Sequence, residues 1–112
     1  MVYRDVELDR ILKELTEHIK QRVNVKKIVL FGSYAYGQPR EHSDIDLLVV
    51  SKDFKGMDQL RRIGLLMDIA LQVKVDVDIE AIGFTPHEFA AISPLSMLSV
   101  AKNKGKVIYA AP

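Results

Sequence analysis

Asp44 and Asp46 are the residues of this sequence whose type and spacing most favour chemistry. They lie in a run of β-branched and apolar residues that predicts a strand over residues 44–50. Side chains two positions apart on a strand point to the same face, so the two carboxylates can share a cation. Carboxylate oxygens suit Mg²⁺, which assists phosphoryl transfer. An isolated pair of this kind is more often a strand cap and a surface charge, so its meaning depends on what precedes it.

A glycine and a serine precede the acid pair. Gly32 and Ser33 follow an apolar run that ends at Phe31, and the segment GSYAYG predicts a strand that passes into a short helical turn. Glycine lets an anion approach the backbone, serine can donate its hydroxyl hydrogen, and the N–H groups at a helix start favour negative charge. Anion donors and carboxylates therefore occur together within a short stretch, as a metal–triphosphate site requires.

The elements that must position these residues are helices and strands in alternation. Apolar periodicity predicts helices over residues 5–23 and 57–73, a short helix after Thr85, and a helix from Ser93 to Lys104. Strands are predicted over residues 26–31, 44–50, 74–82 and 106–109. So few helices cannot cover both faces of a sheet. We therefore expect an α/β fold of the α+β type, with a small mixed sheet, helices on one face and an open catalytic face.

Composition limits the class of protein. The 112 residues, 48% of them hydrophobic, are sized for a single domain spanning residues 1–112. A net charge of +1 lacks the excess of basic residues typical of a dedicated nucleic-acid binder. The absence of cysteine excludes disulfides and thiolate metal sites. With no apolar run long enough to span a membrane, we expect a soluble, cytoplasmic protein.

Two stretches of the sequence resemble a known family. The runs LFGSYAYG and HSDIDLLVV are similar to the signature GSxAxG…SDxDLLV of the nucleotidyltransferase domain in the DNA polymerase β-like superfamily. The runs SKDFKGM and VDIEAIGFTPHEF also resemble small bacterial and archaeal members, so the similarity extends over nearly the whole chain. The chain is identified as a stand-alone minimal nucleotidyltransferase, and the resemblance implies the polymerase β-like fold.

The resemblance implies roles for four residues. Gly32 and Ser33 would hold the phosphates of a nucleoside triphosphate, and Asp44 and Asp46 would bind Mg²⁺, with two ions in the active complex. The implied reaction is in-line attack of an acceptor hydroxyl on the nucleotide α-phosphate, with release of pyrophosphate. AMP from ATP would in this way pass to a hydroxyl of a protein or RNA acceptor.

A third acid completes the site in the family. Asp76, Asp78 and Glu80 alternate on one face of the strand predicted over residues 74–82, and any of them could point toward the pair. Asp78 is predicted as the third catalytic and metal-binding carboxylate because of its position upstream of GFTPHEF. It would help to deprotonate the acceptor.

One departure from the family concerns phosphate binding. Members often carry arginine where this sequence has Tyr34 or Tyr36, and tyrosine offers only a hydroxyl and an aromatic face. Arg40 and Lys52 are the candidate replacements. A degenerate site is therefore an alternative to an active one.

The alternative function belongs to a different class. Stand-alone members of the family are often paired with a helical HEPN protein in toxin–antitoxin-like modules. A chain this short leaves little room for an acceptor-binding domain, so the alternative is an antitoxin that neutralises a HEPN-type toxin by binding it. An apolar helix face could also support homo-oligomers.

Overall fold

The structure is a computed structural model that describes residues 2–112. Its helices are α1 (Asp5–Arg22), α2 (Gln59–Ala70), α3 (Pro86–Ala90) and α4 (Leu98–Lys104). Its strands are β1 (Val25–Phe31), β2 (Ile45–Ser51), β3 (Ile79–Phe84) and β4 (Lys106–Ala110). Two 3₁₀ turns, Gly32–Tyr34 and Lys52–Phe54, directly follow β1 and β2. None of the helices within residues 2–112 is both long enough and apolar enough to cross a membrane.

The four strands form one mixed sheet in the order β3-β2-β1-β4. β1 is antiparallel to both β2 and β4, whereas β2 and β3 are parallel. The start of β2 therefore lies beside the start of β3 and beside the end of β1, where Phe31 is the partner of Asp46. The predicted fold class is confirmed, and its topology brings the glycine–serine turn and the acid pair to one end of the sheet.

The two faces of the sheet are covered to different extents. The main core fills the space between one face and the helices α1 and α2, and includes Ile11, Leu15, Ile45, Leu47 and Leu66. A smaller cluster on the other face consists of Val29, Leu48, Phe84 and Ala101, and residues of α3 and α4 pack against it. The second face, which the sequence predicted to be open, is therefore covered in part by α3 and α4. Asp44 and Asp46 lie at the other end of that face.

The third strand is shorter than predicted. Residues 74–78 are not part of it, although Val75 and Val77 still pack against the main core. The reason lies in the pairing partner: the first residue of β2, Ile45, pairs with Ile79, so the chain before Ile79 has no strand beside it. Hydrophobic alternation there reflects packing onto the core and not membership of the sheet.

The helix α3 begins where the sequence predicts, whereas α4 begins later than predicted. A capping box starts α3: the Thr85 hydroxyl accepts a hydrogen bond from Glu88 N at 3.1 Å, and the Glu88 carboxylate accepts one from Thr85 N at 2.8 Å. The helix predicted from Ser93 begins only at Leu98. The hydroxyls of Ser93 and Ser96 accept hydrogen bonds from nearby backbone N–H groups, which stabilises turns in place of a helix.

Candidate active site

Three carboxylates meet at the start of β2 and β3. One oxygen from each of Asp44, Asp46 and Glu80 lies within 4.8 Å of the others. Asp46 and Glu80 are direct partners in the parallel pairing, which places their side chains on the same face of adjacent strands. Asp44 immediately precedes β2 and shares that face by the two-residue period. Strand register therefore assembles the cluster from residues far apart in sequence.

The cluster perturbs its central member. The pKa of Asp46 is raised from 3.8 to about 6. Burial is the largest cause, followed by the negative charges of Glu80 and Asp44 and by a side-chain hydrogen bond with Glu80. Like charges at this separation are unfavourable unless a proton or a cation lies between them. Three carboxylate oxygens within 4.8 Å of one another thus form a set of ligands that fits a divalent cation.

The structure separates the three acids that the sequence left as alternatives. Glu80 joins Asp44 and Asp46, whereas Asp76 and Asp78 lie in the exposed segment before β3. Asp78 contributes its backbone carbonyl, which accepts a hydrogen bond from Ile45 N at 2.9 Å. The carboxylate of Asp78 as a ligand stays a prediction, and the geometry favours Glu80 instead. The missing information was the register of β3, which the alternating acids do not reveal.

Gly32 packs directly against the acid cluster. Its φ is +74°, a left-handed conformation that glycine adopts without strain. A Cβ at this position would collide with the Asp46 carboxylate. Glycine is therefore required twice, once for the backbone turn between β1 and the 3₁₀ turn and once for the space next to the carboxylate.

Gly32→Ala is expected to displace the Asp46 carboxylate and to reduce any activity of the site by about 100-fold, because a shift of about 1 Å can have that effect. Gly56→Ala is the matched control. Gly56 also has a left-handed φ of +82°, but a Cβ added there would have no atom within 4 Å. Both variants should lose ~1–2 kcal/mol of unfolding free energy, and only Gly32→Ala should change turnover. Equal turnover in the two would contradict this role.

The turn after Gly32 is compact. Ala35 N and Tyr36 N both donate to Gly32 O, at 3.0 and 3.1 Å. A Cβ on Gly37 would lie 2.8 Å from the Cα of Ser33, so the returning chain packs against the serine backbone. Ser33 is held in this way in the first turn after β1, next to the glycine that contacts Asp46.

The two tyrosines at the family's arginine positions have different environments. Tyr34 is buried, and its hydroxyl accepts a hydrogen bond from Tyr3 N at 3.3 Å. The hydroxyl of Tyr3 in turn accepts one from Asp76 N at 2.6 Å, which ties the turn to the segment before β3. Tyr34 is thus part of the core, while Tyr36 is exposed.

The two candidate basic replacements also differ in position. Lys52 follows the last residue of β2, six positions after Asp46, which places it ~20 Å away by strand rise. It cannot take the place of an arginine at the site. Arg40 lies in the loop that leads to the aspartates, where its backbone N donates to the Ser43 hydroxyl at 2.7 Å. Arg40 remains the candidate of the two.

A carboxylate cluster beside a glycine–serine turn fits the class of site that binds nucleotide phosphates with a divalent cation. Comparison with known proteins identifies the family. The family model for the nucleotidyltransferase domain matches residues 10–104. The chain belongs to this family, as the sequence motifs predicted.

Two relatives illustrate the match. A candidate protein adenylyltransferase of Methanocaldococcus jannaschii is 35% identical over 94 residues, which cover 79% of this chain and 63% of the relative. This chain thus spans less than two thirds of that relative's length. The protein adenylyltransferase MntA of Thermococcus cleftensis is 28% identical over 71 residues, which cover 63% of this chain and 72% of the relative.

Two solved structures share the fold. A candidate nucleotidyltransferase from Sulfolobus solfataricus superposes with a TM-score of 0.66 and 20% identity, covering 94% of this chain and 82% of that chain. A toxin–antitoxin structure with AMP-PNP superposes with a TM-score of 0.60 and 21% identity, covering 89% of this chain and 73% of that chain. At these identities the likeness concerns the fold.

Proposed function

We propose that this chain is a Mg²⁺-dependent nucleotidyltransferase that moves AMP from ATP onto a hydroxyl of a protein acceptor and releases pyrophosphate. The observation that carries the proposal is the cluster of Asp44, Asp46 and Glu80 directly beside Gly32. Family membership supports the reaction class. The choice of AMP and of a protein acceptor is supported by relatives that are named protein adenylyltransferases.

Each group of the site has a role in this reaction. Asp44, Asp46 and Glu80 would hold Mg²⁺, which when bound neutralises triphosphate charge. Gly32 leaves the backbone accessible to a phosphate oxygen, and Ser33 can donate its hydroxyl hydrogen to one. The acceptor oxygen bonds to the α-phosphorus as the bond from that phosphorus to pyrophosphate breaks. Glu80, the most exposed of the three carboxylates, can receive the acceptor's proton.

Glu80→Gln is expected to reduce transfer by about 100-fold, whereas Asp78→Asn should stay within about threefold of the wild type. Each substitution removes one negative charge, and the two positions are only two residues apart. Only Glu80→Gln removes a charge from the carboxylate cluster. The measurement is label transfer from α-labelled ATP, with Mg²⁺, to the purified protein partner. If Asp78→Asn lost transfer activity and Glu80→Gln kept it, Asp78 and not Glu80 would be the third carboxylate of the site.

The same assay tests the proposed function itself. If the wild-type protein transfers no label to its protein partner, the proposed transferase function is contradicted. Label recovered in RNA would instead identify an RNA acceptor, the alternative that the family resemblance implies.

A second candidate function is neutralisation of a HEPN-type toxin by binding alone. The observation that favours it is the fold shared with a toxin–antitoxin structure. Co-expression of Glu80→Gln with the partner separates the two functions. If the variant still neutralises the partner, binding suffices; if neutralisation is lost while the complex still forms, transfer is required.

A further inference from the structure

A groove runs along the outer edge of β3. Its volume is about 1120 Å³, and it is lined by residues of α1, of α2, of β3 and of the segment that precedes β3. Ile79 and Ala81 on the helix side of the sheet and Glu80 and Ile82 on the other side all line it. Because residues from both faces of one strand contribute, the groove follows the edge of the sheet. Asp44 and Glu80 connect it to the carboxylate cluster.

The edge of β3 offers backbone groups for pairing. β3 is the terminal strand of the sheet, with β2 as its neighbour. Ile45 N donates to Asp78 O, so residue 78 turns its carbonyl toward β2, whereas Gly83 O turns away and accepts from Arg62. Since alternate residues turn the same way, Ile79 and Ala81 direct their N–H and C=O groups to the open side. An edge of this kind can add an extended peptide as a further strand.

The helix wall of the groove is apolar and exposed. Ile63, Met67 and Leu71 line it at spacings of four, and Met67 is 56% exposed. Helical periodicity groups these residues with Leu66, but the structure buries Leu66 together with Arg62 and Ile69 and leaves the three groove residues exposed. The helix therefore has one apolar stripe against the sheet and a second one facing the groove.

The charge of the groove decides its occupant. Five acids line it against two basic residues, a net of three negative charges, on a chain whose total is +1. The acids are Glu7, Asp44, Asp76, Asp78 and Glu80, and the bases are Arg10 and Lys74. RNA would be repelled by this surface. A second copy of the chain paired through β3 would bring Asp78 and Glu80 of both copies together, and like charges across paired strands are destabilising.

We propose that the edge of β3 is a docking site for an extended segment of a partner protein with alternating apolar and basic residues. Added as a fifth strand, the segment directs its apolar side chains toward Met67 and its basic side chains toward the acids. Its binding needs neither nucleotide nor a metal ion. The surface therefore can be tested separately from transfer activity.

The test is a titration of isotope-labelled, metal-free protein with a short monomeric peptide of alternating valine and lysine, followed by amide NMR at low salt. We expect shifts at Ile79, Ala81 and Gly83 and slower hydrogen exchange at Ile79 and Ala81. Met67→Lys should weaken binding by about tenfold. Leu60→Lys is the matched control, because Leu60 is exposed on the same helix but does not line the groove, and it should stay within about twofold.

Two further peptides and one RNA, each titrated into the wild-type protein, keep the proposal falsifiable even if Met67→Lys fails to fold. The same peptide with glutamate in place of lysine, and one N-methylated at alternate backbone nitrogens, should not bind. Failure of the lysine peptide to shift the β3 amides would overturn the proposal. So would equal binding of the glutamate peptide or of a short oligouridylate at this edge, or self-association through β3 in the free protein.

Discussion

Asp46→Asn is expected to reduce nucleotidyl transfer by about 1000-fold while making the metal-free protein more stable. Asp46 interacts with both of the other carboxylates and is the strand partner of Glu80, so its loss removes the member that joins the two strands in the cluster. The same position is unfavourable when no cation is bound, because burial and the charges of Glu80 and Asp44 oppose its ionisation. A residue that costs stability in the free protein and supports chemistry in the loaded one is typical of a functional site.

The stability gain has a defined pH dependence. The pKa of Asp46 is about 6 in the folded protein and 3.8 as the ordinary value, so the folded state holds the proton more tightly. Wild-type stability should therefore fall, relative to Asp46→Asn, as pH rises from about 4 through about 6, and the difference should stay constant above that. The two pKa values correspond to ~3 kcal/mol at full effect, and solvent access to the partly exposed cluster reduces this to ~1–2 kcal/mol.

Urea denaturation at pH 5 and pH 8, with a chelator and then with Mg²⁺, measures both effects. Asp78→Asn is the control, because it removes a nearby charge that does not belong to the cluster. Added Mg²⁺ should stabilise the wild type and Asp78→Asn but not Asp46→Asn. If Asp46→Asn were instead less stable than the wild type in the absence of metal, this result would contradict the inference that repulsion among the three carboxylates destabilises the free protein.

The acid pair and the glycine could be predicted because local rules determine them. The two-residue period of a strand places Asp44 and Asp46 on one face whatever the rest of the fold does. The left-handed turn at Gly32 follows a strand end, where glycine is the expected residue. Both features depend on residues close together in sequence, and the structure places them in contact.

The third carboxylate could not be predicted in the same way. Asp76, Asp78 and Glu80 have the same chemistry and the same alternation, so sequence pattern cannot rank them. Their difference comes from the pairing of Ile45 with Ile79, which sets Glu80 opposite Asp46. Register between two strands separated by a helix is a tertiary property.

The packed face of α2 could be predicted only in part. Helical periodicity selects Leu60, Ile63, Leu66, Met67, Ala70 and Leu71, of which the structure buries Leu66, half-buries Ala70 and exposes the other four. The structure also buries Arg62 and Ile69, so that Arg62 takes a core position. An arginine at such a position reads as solvent-exposed from sequence, because the partners that satisfy it lie in other elements.

Arg62 anchors four elements at the end of the sheet remote from the site. Its side chain is only 5% exposed, and all five N–H donors of the guanidinium have acceptors. Nε donates to Met57 O, the two terminal nitrogens donate to Gly83 O and Phe54 O, and both also donate to the Glu88 carboxylate, at 2.6 and 3.2 Å. The second 3₁₀ turn, α2, β3 and α3 are joined in this way.

Arg62→Met is expected to lower the free energy of unfolding by about 3–5 kcal/mol, a large share of the stability of a small domain. The substitution removes the Arg62 donor from the Met57 carbonyl, takes one of two donors from the Phe54 and Gly83 carbonyls, and leaves Glu88 without its cation. Arg62→Lys should recover only part of the loss, because an ammonium group cannot match the planar set of donors. Arg61→Met is the control: Arg61 is exposed on the same helix, and its replacement should change stability by less than ~0.5 kcal/mol.

The pH dependence of this loss identifies the ion pair within it. Hydrogen bonds from Arg62 are the largest cause that lowers the pKa of Glu88 from 4.5 to about 2. The folded pKa lies below the ordinary value, so this contribution is complete above pH 4.5 and disappears as pH falls toward 2. The stability difference between the wild type and Arg62→Met should therefore narrow over that interval, though by a modest amount because the Glu88 side chain is 43% exposed. Equilibrium denaturation of both proteins between pH 2 and pH 7 measures it, and a difference independent of pH would assign the stabilisation to the buried carbonyl contacts alone.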